Sequence, residues 1–293
     1  MTPLLERGVA RRRRDGVSDM NIGIIGLGLI GGSLGKAITK KTTHKVYGFD
    51  ISPDVLMKAE LLSAIHSPLI DYKTLDLLII AVNPRAFEKI LLDVAPKLKS
   101  GACIIDICGN KSAPVEAMRE ISKQHPDIHF VGTHPMAGKE VSGIKHSSAS
   151  LFDKASMIFV PVTKDIETIA NLKKLFLDLG FGEVVITDEV KHDRLIAYTS
   201  QLPHIISSCY IQSDLAENHR GFSAGSFRDL SRVAKMNPGM WTELVFDNRA
   251  EVLPELESFI DRMSEFKDAL VAGDEGKIKE MFEKGDLKKR EIK

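Results

Sequence analysis

The sequence predicts an α/β fold in which a doubly wound parallel sheet is followed by an all-helical domain. Three observations indicate this class. A short apolar strand pattern runs straight into a glycine-rich turn at residues 22–31, and strand patterns then alternate with amphipathic helical patterns as far as Ile186. From Asp188 onward only helical periodicity remains. Strands separated by helices of about 10–15 residues are typical of parallel sheets, so we expect a sheet domain over residues 20–187 and a helical domain over residues 188–293.

The glycine-rich turn is the most informative stretch of the chain. The apolar run of residues 22–25 enters a Gly-x-Gly-x-x-Gly turn, and a helical pattern follows directly. In such a turn the first glycine permits a tight bend, the second lets backbone amides approach a pyrophosphate, and the third lets the helix pack close to the strand. The diphosphate then lies against the positive end of the helix. This predicts a Rossmann-type dinucleotide site whose cofactor-binding residues are Gly26, Gly28, Leu29, Ile30 and Gly31.

An acidic residue follows the second strand pattern, at the place expected for contact with a ribose. The pattern of residues 45–49 ends in Asp50, 19 residues after Gly31. A carboxylate there accepts hydrogen bonds from the adenosine ribose and repels a 2′-phosphate, which predicts NAD rather than NADP as the cofactor. Val82 and Pro84, at the end of the next strand pattern, are predicted to line the nicotinamide half.

The remaining strand and helix patterns follow in alternation. Apolar strand patterns cover residues 77–82, 102–106, 129–132, 156–162 and 183–186, and helical patterns cover residues 86–98, a segment through Val115 and Met118, and residues 166–179. The last two strands would extend the sheet at one edge. Ligands bind beyond the carboxyl ends of parallel strands, so the residues that follow each strand are the candidates for chemistry.

The predicted helical domain contains a long apolar stripe. Spacings of three and four residues place on one helix face Leu253, Leu256, Phe259, Ile260, Met263, Phe266 and Leu270. A stripe this broad is typical of a helix that packs against other helices or a second subunit. Earlier in the domain, Pro203 is expected to break or kink a helix and to direct His204 at a cleft.

Composition excludes several classes of protein. The formal net charge is zero, so nothing indicates nucleic acid or an anionic membrane as a partner, and no apolar run approaches the ~20 residues that span a bilayer. Three cysteines without metal-ligand spacing predict no metal site and are typical of the reducing cytoplasm. Residues 1–19, with four consecutive arginines, lack an apolar face and are expected to form a disordered basic extension.

Two groups of residues carry candidate chemistry. His134 follows an apolar strand pattern and is held by a proline and a glycine-bearing loop, which suits a proton acceptor beside a dinucleotide because imidazole titrates near neutral pH. Arg228 and Arg232 are four residues apart on one helix face. One of them could bind the carboxylate of an acidic substrate, or both could pair with protein carboxylates such as Asp229.

Several blocks of this sequence occur in the same order in one enzyme family. They are GLGLIGGSL at residues 26–34, THPMAGKEVSG at 133–143, SQLPH at 200–204, FRDLSRVA at 227–234 and NPGMW at 237–241. With them the chain resembles the prephenate/arogenate dehydrogenase family of tyrosine biosynthesis. The resemblance implies a Rossmann-type domain, a helical dimerisation domain and hence a homodimer. It also implies a small-molecule substrate and NAD-dependent oxidative decarboxylation of prephenate to 4-hydroxyphenylpyruvate.

The resemblance also assigns roles to individual residues. His134 is implied to accept the substrate hydroxyl proton while hydride passes to NAD, and Arg232 to hold a substrate carboxylate. The implied pocket residues are His204, Lys139, Glu140 and Trp241. Two positions depart from the family pattern, because Gly109 stands where a serine is common and Gln201 where a histidine is common. An arogenate dehydrogenase that forms tyrosine, and a non-catalytic NAD-sensing protein of the same fold, remain as alternatives.

Overall fold

The computed structural model describes residues 19–292. The basic extension expected over residues 1–19 therefore lies outside the described residues except for Asp19. Within residues 19–292, eight strands form one sheet. They are β1 (Asn21–Ile25), β2 (Lys45–Phe49), β3 (Ser67–Pro68), β4 (Leu77–Ile80), β5 (Cys103–Asp106), β6 (His129–Pro135), β7 (Ser156–Pro161) and β8 (Glu183–Ile186). Their order across the sheet is β3-β2-β1-β4-β5-β6-β7-β8.

Helices cover both faces of this sheet. Five helices lie within the sheet region, namely α1 (Leu29–Lys41), α2 (Pro53–Leu61), α3 (Pro84–Val94), α4 (Ser112–Gln124) and α5 (Ile166–Asp178). Side chains of α1, α2 and α5 belong to one buried cluster, and side chains of α3 and α4 belong to a second. The strand order reverses between β1 and β4, and this switch point is where doubly wound sheets bind ligands.

One neighbouring strand pair departs from the expected parallel sheet. Strands β6 and β7 are antiparallel, with His134 opposite Ile158, whereas the other neighbouring pairs are parallel. Parallel neighbours need a crossover connection, usually a helix. The described connection between β6 and β7 carries only a short 3₁₀ turn, Ile144–His146, so the chain returns alongside β6 in the opposite direction. Strand β6 also extends to Pro135, which places His134 inside the strand rather than after it.

Beyond β8 the described secondary structure is helical. The elements are α6 (Glu189–Ile196), α7 (Leu202–Tyr210), α8 (Gly225–Ser231), α9 (Pro238–Asp247), α10 (Arg249–Ala272) and α11 (Glu275–Glu291), with short 3₁₀ turns between some of them. The break expected at Pro203 takes the form of a π-helical turn, Ala197–Gln201, that joins α6 to α7 and leaves Pro203 in the first turn of α7. None of the described helices is long and apolar enough to cross a membrane.

Candidate active site

The glycine turn between β1 and α1 has the geometry of a phosphate-binding loop. A β-carbon on Gly26, whose φ is +90°, would lie 2.3 Å from the carbonyl oxygen of Ala81, and one on Gly31 would lie 2.0 Å from the carbonyl oxygen of Gly26. By contrast, nothing lies within 4 Å of the corresponding position on Gly28. Helix α1 begins at Leu29, and its N-cap residue Gly28 provides no side-chain cap, so its first N–H groups have no side-chain acceptor from the cap position. The residues present therefore fit a dinucleotide diphosphate.

Asp50 lies beside this turn. Its Oδ2 accepts a hydrogen bond from the backbone N–H of Leu27 at 2.9 Å, and its Oδ1 accepts one from that of Ser52 at 2.9 Å. Each carboxylate oxygen can accept a further bond, which leaves capacity for a ribose diol. On the other side of the turn, the Val82 side chain lies 3.2 Å from where a Gly26 β-carbon would be, and Pro84 is the first residue of α3.

A chain of three side chains ends at His134. The Nδ1 atom of His134 lies 3.0 Å from Nε2 of His192, and Nδ1 of His192 lies 2.7 Å from Oδ1 of Asp193. His192 and Asp193 are buried, at 2% and 3% exposure, while His134 is partly exposed. These hydrogen bonds therefore connect the helical region to the ring of His134, which a ligand can reach.

Asp193 is held mainly by the sheet region. Its carboxylate accepts hydrogen bonds from the backbone N–H of Lys111 at 2.7 Å, and from the backbone N–H and hydroxyl of Ser112 at 2.8 and 2.5 Å. Helix α4 starts there and has no side-chain cap of its own, so Asp193 caps it from outside. Burial opposes ionisation, but the hydrogen bonds from His192, Ser112 and Lys111 outweigh it and lower the pKa of Asp193.

The ionised carboxylate determines where the protons of both rings lie. Asp193 only accepts when charged, so His192 carries its proton on Nδ1 and its Nε2 becomes an acceptor. His134 then donates from Nδ1, which leaves its Nε2 unprotonated. Burial, followed by the proximity of His192 and Lys111, lowers the pKa of His134 well below the ordinary value. The arrangement yields a neutral imidazole whose free lone pair is available as a base.

A buried ion pair lies next to His134 on the sheet side. Lys111 and Asp106 are fully buried and paired with one another, and Lys111 Nζ also donates to the carbonyl oxygen of Thr133 at 2.7 Å. Asp106 Oδ1 accepts from the backbone N–H of Thr133 at 3.0 Å. These bonds join the carboxyl ends of β5 and β6, and so fix the backbone from which His134 projects.

Four of the predicted substrate-binding residues form a second cluster. The guanidinium of Arg232, one residue beyond α8, pairs with Glu140 on the loop after β6. His204 stacks on Trp241 with ring centroids 3.6 Å apart, and its Nδ1 donates to the carbonyl oxygen of Ser200 at 2.8 Å.

The pKa shifts in this cluster follow from burial and from its charges. Partial burial lowers the pKa of His204, and nearby Arg232 lowers it further, while the Ser200 carbonyl and Glu140 raise it. A hydrogen bond from its own backbone N–H does most to lower the pKa of Glu140; desolvation opposes it, and the hydrogen bond and charge of Arg232 lower the pKa further. The fifth predicted residue, Lys139, donates to the carbonyl oxygen of His146 at 3.0 Å within its own loop.

The two parts of the chain match the two domains of one family. Residues 34–185 match the family model described as prephenate dehydrogenase, nucleotide-binding domain, and residues 188–284 match the one described as prephenate dehydrogenase, dimerization domain. This chain belongs to the prephenate dehydrogenase family. Its members are dehydrogenases, so the prediction of an enzyme of this class is confirmed.

Individual relatives agree with this assignment. Cyclohexadienyl dehydrogenase of Zymomonas mobilis is 30% identical over 93% of this chain and 96% of its own length, and prephenate dehydrogenase of Lactococcus lactis is 28% identical over 89% and 74%. Among solved structures, prephenate dehydrogenase from Aquifex aeolicus in complex with hydroxyphenyl propionate and NAD⁺ is 26% identical, with a TM-score of 0.83 over 95% of this chain and 100% of that one.

The two departures from the family pattern lie on the contact between the sheet and the helices. A β-carbon on Gly109 would lie 2.9 Å from Cδ2 of Leu244, so a leucine of α9 covers the place where a serine is common. Gln201 is 1% exposed, and its Nε2 donates to Oδ1 of Asn110 at 2.9 Å. Asn110 thus turns toward the helices, and the structure shows no bond from it to His134 among the described residues.

Four residues of this site were not predicted from the sequence: His192, Asp193, Asp106 and Lys111. His192 and Asp193 are adjacent just after β8, which is a weak signal because neighbouring residues on a helix point in different directions. Their contacts reach residues far away in the chain, from His192 to His134 and from Asp193 to Lys111. Local patterns do not reveal such pairings.

The environment of His134 predicts the acid side of its pH dependence. Its pKa in the folded protein lies below the ordinary value of about 6.5. In the unfolded chain the ring binds a proton near pH 6.5, whereas in the folded protein it stays neutral to lower pH. The contribution of His134 to the free energy of unfolding is therefore present above pH 6.5 and declines as the pH falls below that value. We expect the acid limb of kcat/KM to have its midpoint below 6.5, measured by steady-state kinetics. A midpoint at or above 6.5 would contradict the assignment.

Proposed function

We propose that this protein oxidises and decarboxylates prephenate to 4-hydroxyphenylpyruvate with NAD, as part of tyrosine biosynthesis. The observation that carries the proposal is the partly exposed His134, oriented by His192 and Asp193 in a chain of the prephenate dehydrogenase family. The relatives named prephenate dehydrogenase, and the related structure with NAD⁺ bound, support the same reaction and cofactor.

The proposed reaction requires the protein to orient the substrate and the cofactor and to accept one proton. Gly26, Gly28, Gly31 and Asp50 would hold NAD, which would supply the acceptor for the hydride. Nε2 of His134 takes the proton of the substrate hydroxyl, and the positive charge is shared with His192 and balanced by Asp193. Loss of carbon dioxide makes the ring aromatic. Because the product is a phenol, the proton held by His134 returns to that oxygen, and no net proton is released.

Arg232 is the proposed partner of a substrate carboxylate. A guanidinium has five N–H donors, so pairing with Glu140 leaves donors for a second carboxylate. His204 and Trp241 are proposed to line the same pocket, because their stacked rings lie near Arg232 and Glu140. Lys139, on the same loop, is proposed to add positive charge at the rim.

We also propose that the protein acts as a homodimer. The helical region matches a dimerization domain, and α10 leaves a row of apolar side chains partly uncovered in the single chain. Leu253, Ile260, Met263 and Leu270 are 52–66% exposed. Burying such a row against a second copy accounts for the apolar stripe in the sequence.

The direct test of the proposed function is NADH formation with prephenate as substrate. We expect the unmodified protein to turn over, and His134→Asn to lower kcat by about 10²–10⁴-fold with little change in NAD affinity, because asparagine preserves polarity but not basicity. A kcat within about threefold of the parent would remove His134 from the role. Parallel assays with arogenate distinguish the alternative substrate, and NAD binding without turnover of either would favour a sensing protein.

Asp50 predicts the choice of cofactor. Its carboxylate is fixed beside the glycine turn and repels a 2′-phosphate, and the next two residues, Ile51 and Ser52, carry no positive charge to receive one. We expect kcat/KM to be at least about tenfold higher with NAD than with NADP, a difference of ~1.4 kcal/mol. Equal efficiency with both cofactors would contradict this role.

The Arg232 assignment predicts an effect on substrate binding. We expect Arg232→Ala to raise KM for prephenate about tenfold to a hundredfold and to leave KM for NAD nearly unchanged, because the lost bond is charge-assisted and already present in the ground state. The matched control is Arg228→Ala, because Arg228 lies one turn away, is 80% exposed, and has Asp229 at 3.8 Å. A large KM effect from Arg228→Ala alone would move the assignment to that residue.

A further inference from the structure

Three buried amide side chains join the sheet region to the helices beside the catalytic chain. Asn110, on the loop between β5 and α4, is 5% exposed; Gln201, in the π-helical turn, is 1% exposed; and Asn248, between α9 and α10, is 5% exposed. We call these three residues the amide triad. The proposed reaction uses none of them directly.

The hydrogen bonds of the amide triad are continuous. Gln201 Nε2 donates to Oδ1 of Asn110 at 2.9 Å and to the carbonyl oxygen of Leu244 at 3.1 Å, and the Asn110 amide donates to that same carbonyl oxygen at 2.8 Å. Asn248 Nδ2 donates to Oε1 of Gln201 at 2.7 Å and to the backbone carbonyl oxygen of Asp193 at 2.9 Å. The network therefore reaches from the sheet region to the backbone of the residue that orients His192.

Asp193 is thus held from two sides. Its carboxylate is bound by the start of α4, and its backbone carbonyl is bound by Asn248, whose position depends on Gln201. Buried amides that lose a partner are costly, so the triad favours one arrangement of these elements over others. The Asp193 carboxylate can reach both α4 and His192 only while its backbone stays in place.

We infer that the amide triad positions Asp193 and thereby, through His192, determines the orientation of His134. Gln201 is its central residue, because it bonds both Asn110 and Asn248. None of the three touches the reacting atoms, so they act through Asp193. The kinetic part of this inference rests on the proposed function, while its structural part does not.

The first test does not depend on enzymatic activity. The pKa of His134 is measured by NMR titration of histidine-labelled protein in the parent and in Gln201→Met, which keeps a similar volume and removes the hydrogen bonds. The groups around His134 are His192 and Asp193 on α6, and Lys111 with its partner Asp106 beside β6. We expect the pKa of His134 to be higher in the variant, closer to the ordinary value of histidine, because a looser contact between the sheet region and the helices admits water to the ring. An unchanged midpoint would overturn the inference.

The matched control breaks another contact between the two regions. Arg119 on α4 pairs with Glu189 on α6 at 2.6 Å without touching the triad. We expect Arg119→Ala to leave the His134 midpoint where it is. An equal shift in this control would mean that general loosening between the regions moves the midpoint, and would overturn a specific role for the triad. If Gln201→Met does not fold, Asn110→Ala removes the two side-chain bonds of Asn110, to Gln201 and to the Leu244 carbonyl, and its result is interpreted in the same way.

The second test is a double-mutant cycle on kcat with prephenate. We expect Gln201→Met to lower kcat about tenfold in the parent and less than about twofold in Asp193→Asn. Both residues act through the same series of hydrogen bonds to His134, so their effects should not add. A full effect in both backgrounds, or none in the parent, would overturn the inference. If the parent does not turn over prephenate, the proposed function fails, and the NMR titration alone decides the inference.

Discussion

Asp193 lies on the first helix after the sheet, yet its carboxylate is bound by the first backbone amides of α4 in the sheet region. The same carboxylate holds Nδ1 of His192. A buried charge is costly unless it is fully hydrogen-bonded, and removing one of its partners leaves a penalty of about 1–3 kcal/mol or more. Because α4 and His192 both satisfy this one charge, the packing of the helices on the sheet and the orientation of the histidines depend on each other.

The fold brings the rest of the site to this point. The carboxyl ends of β1 and β4 frame the glycine turn and its switch point, and β5 and β6 end in the buried pair of Asp106 and Lys111. The antiparallel return of β7 fixes His134 within a strand, opposite Ile158, rather than on a loose loop. A rigid strand is a better support for a base than a loop, because the ring must meet both His192 and a ligand.

Much of this could be predicted from local sequence. The glycine turn, the acidic residue after β2 and the alternation of strands and helices depend on neighbouring residues. The direction of β7 could not be predicted, because an apolar strand pattern looks the same in either direction. The role of His192 could not be predicted either, since it meets His134 across 58 residues of chain, and Asp193 meets Lys111 across 82. Gly109 and Gln201 were visible as departures from the family pattern, but the bond of Gln201 to Asn110, the neighbour of Gly109, was not.

Asp193 determines the tautomer of His134 through His192. The most direct measurement is the ¹⁵N NMR shift of the two ring nitrogens of His134 at neutral pH, in the parent and in Asp193→Asn. In the variant the side-chain oxygen stays with Ser112, whose backbone N–H and hydroxyl both bond Oδ2, so the amide N–H takes the place of Oδ1 and faces His192 at the expense of the Lys111 bond. This reverses the protonation of both rings, as when a triad aspartate is replaced by asparagine. We expect a protonated Nδ1 and a free Nε2 in the parent, and the reverse in the variant. A protonated Nε2 in the parent, or no change between the two proteins, would show that Asp193 does not determine the tautomer of His134.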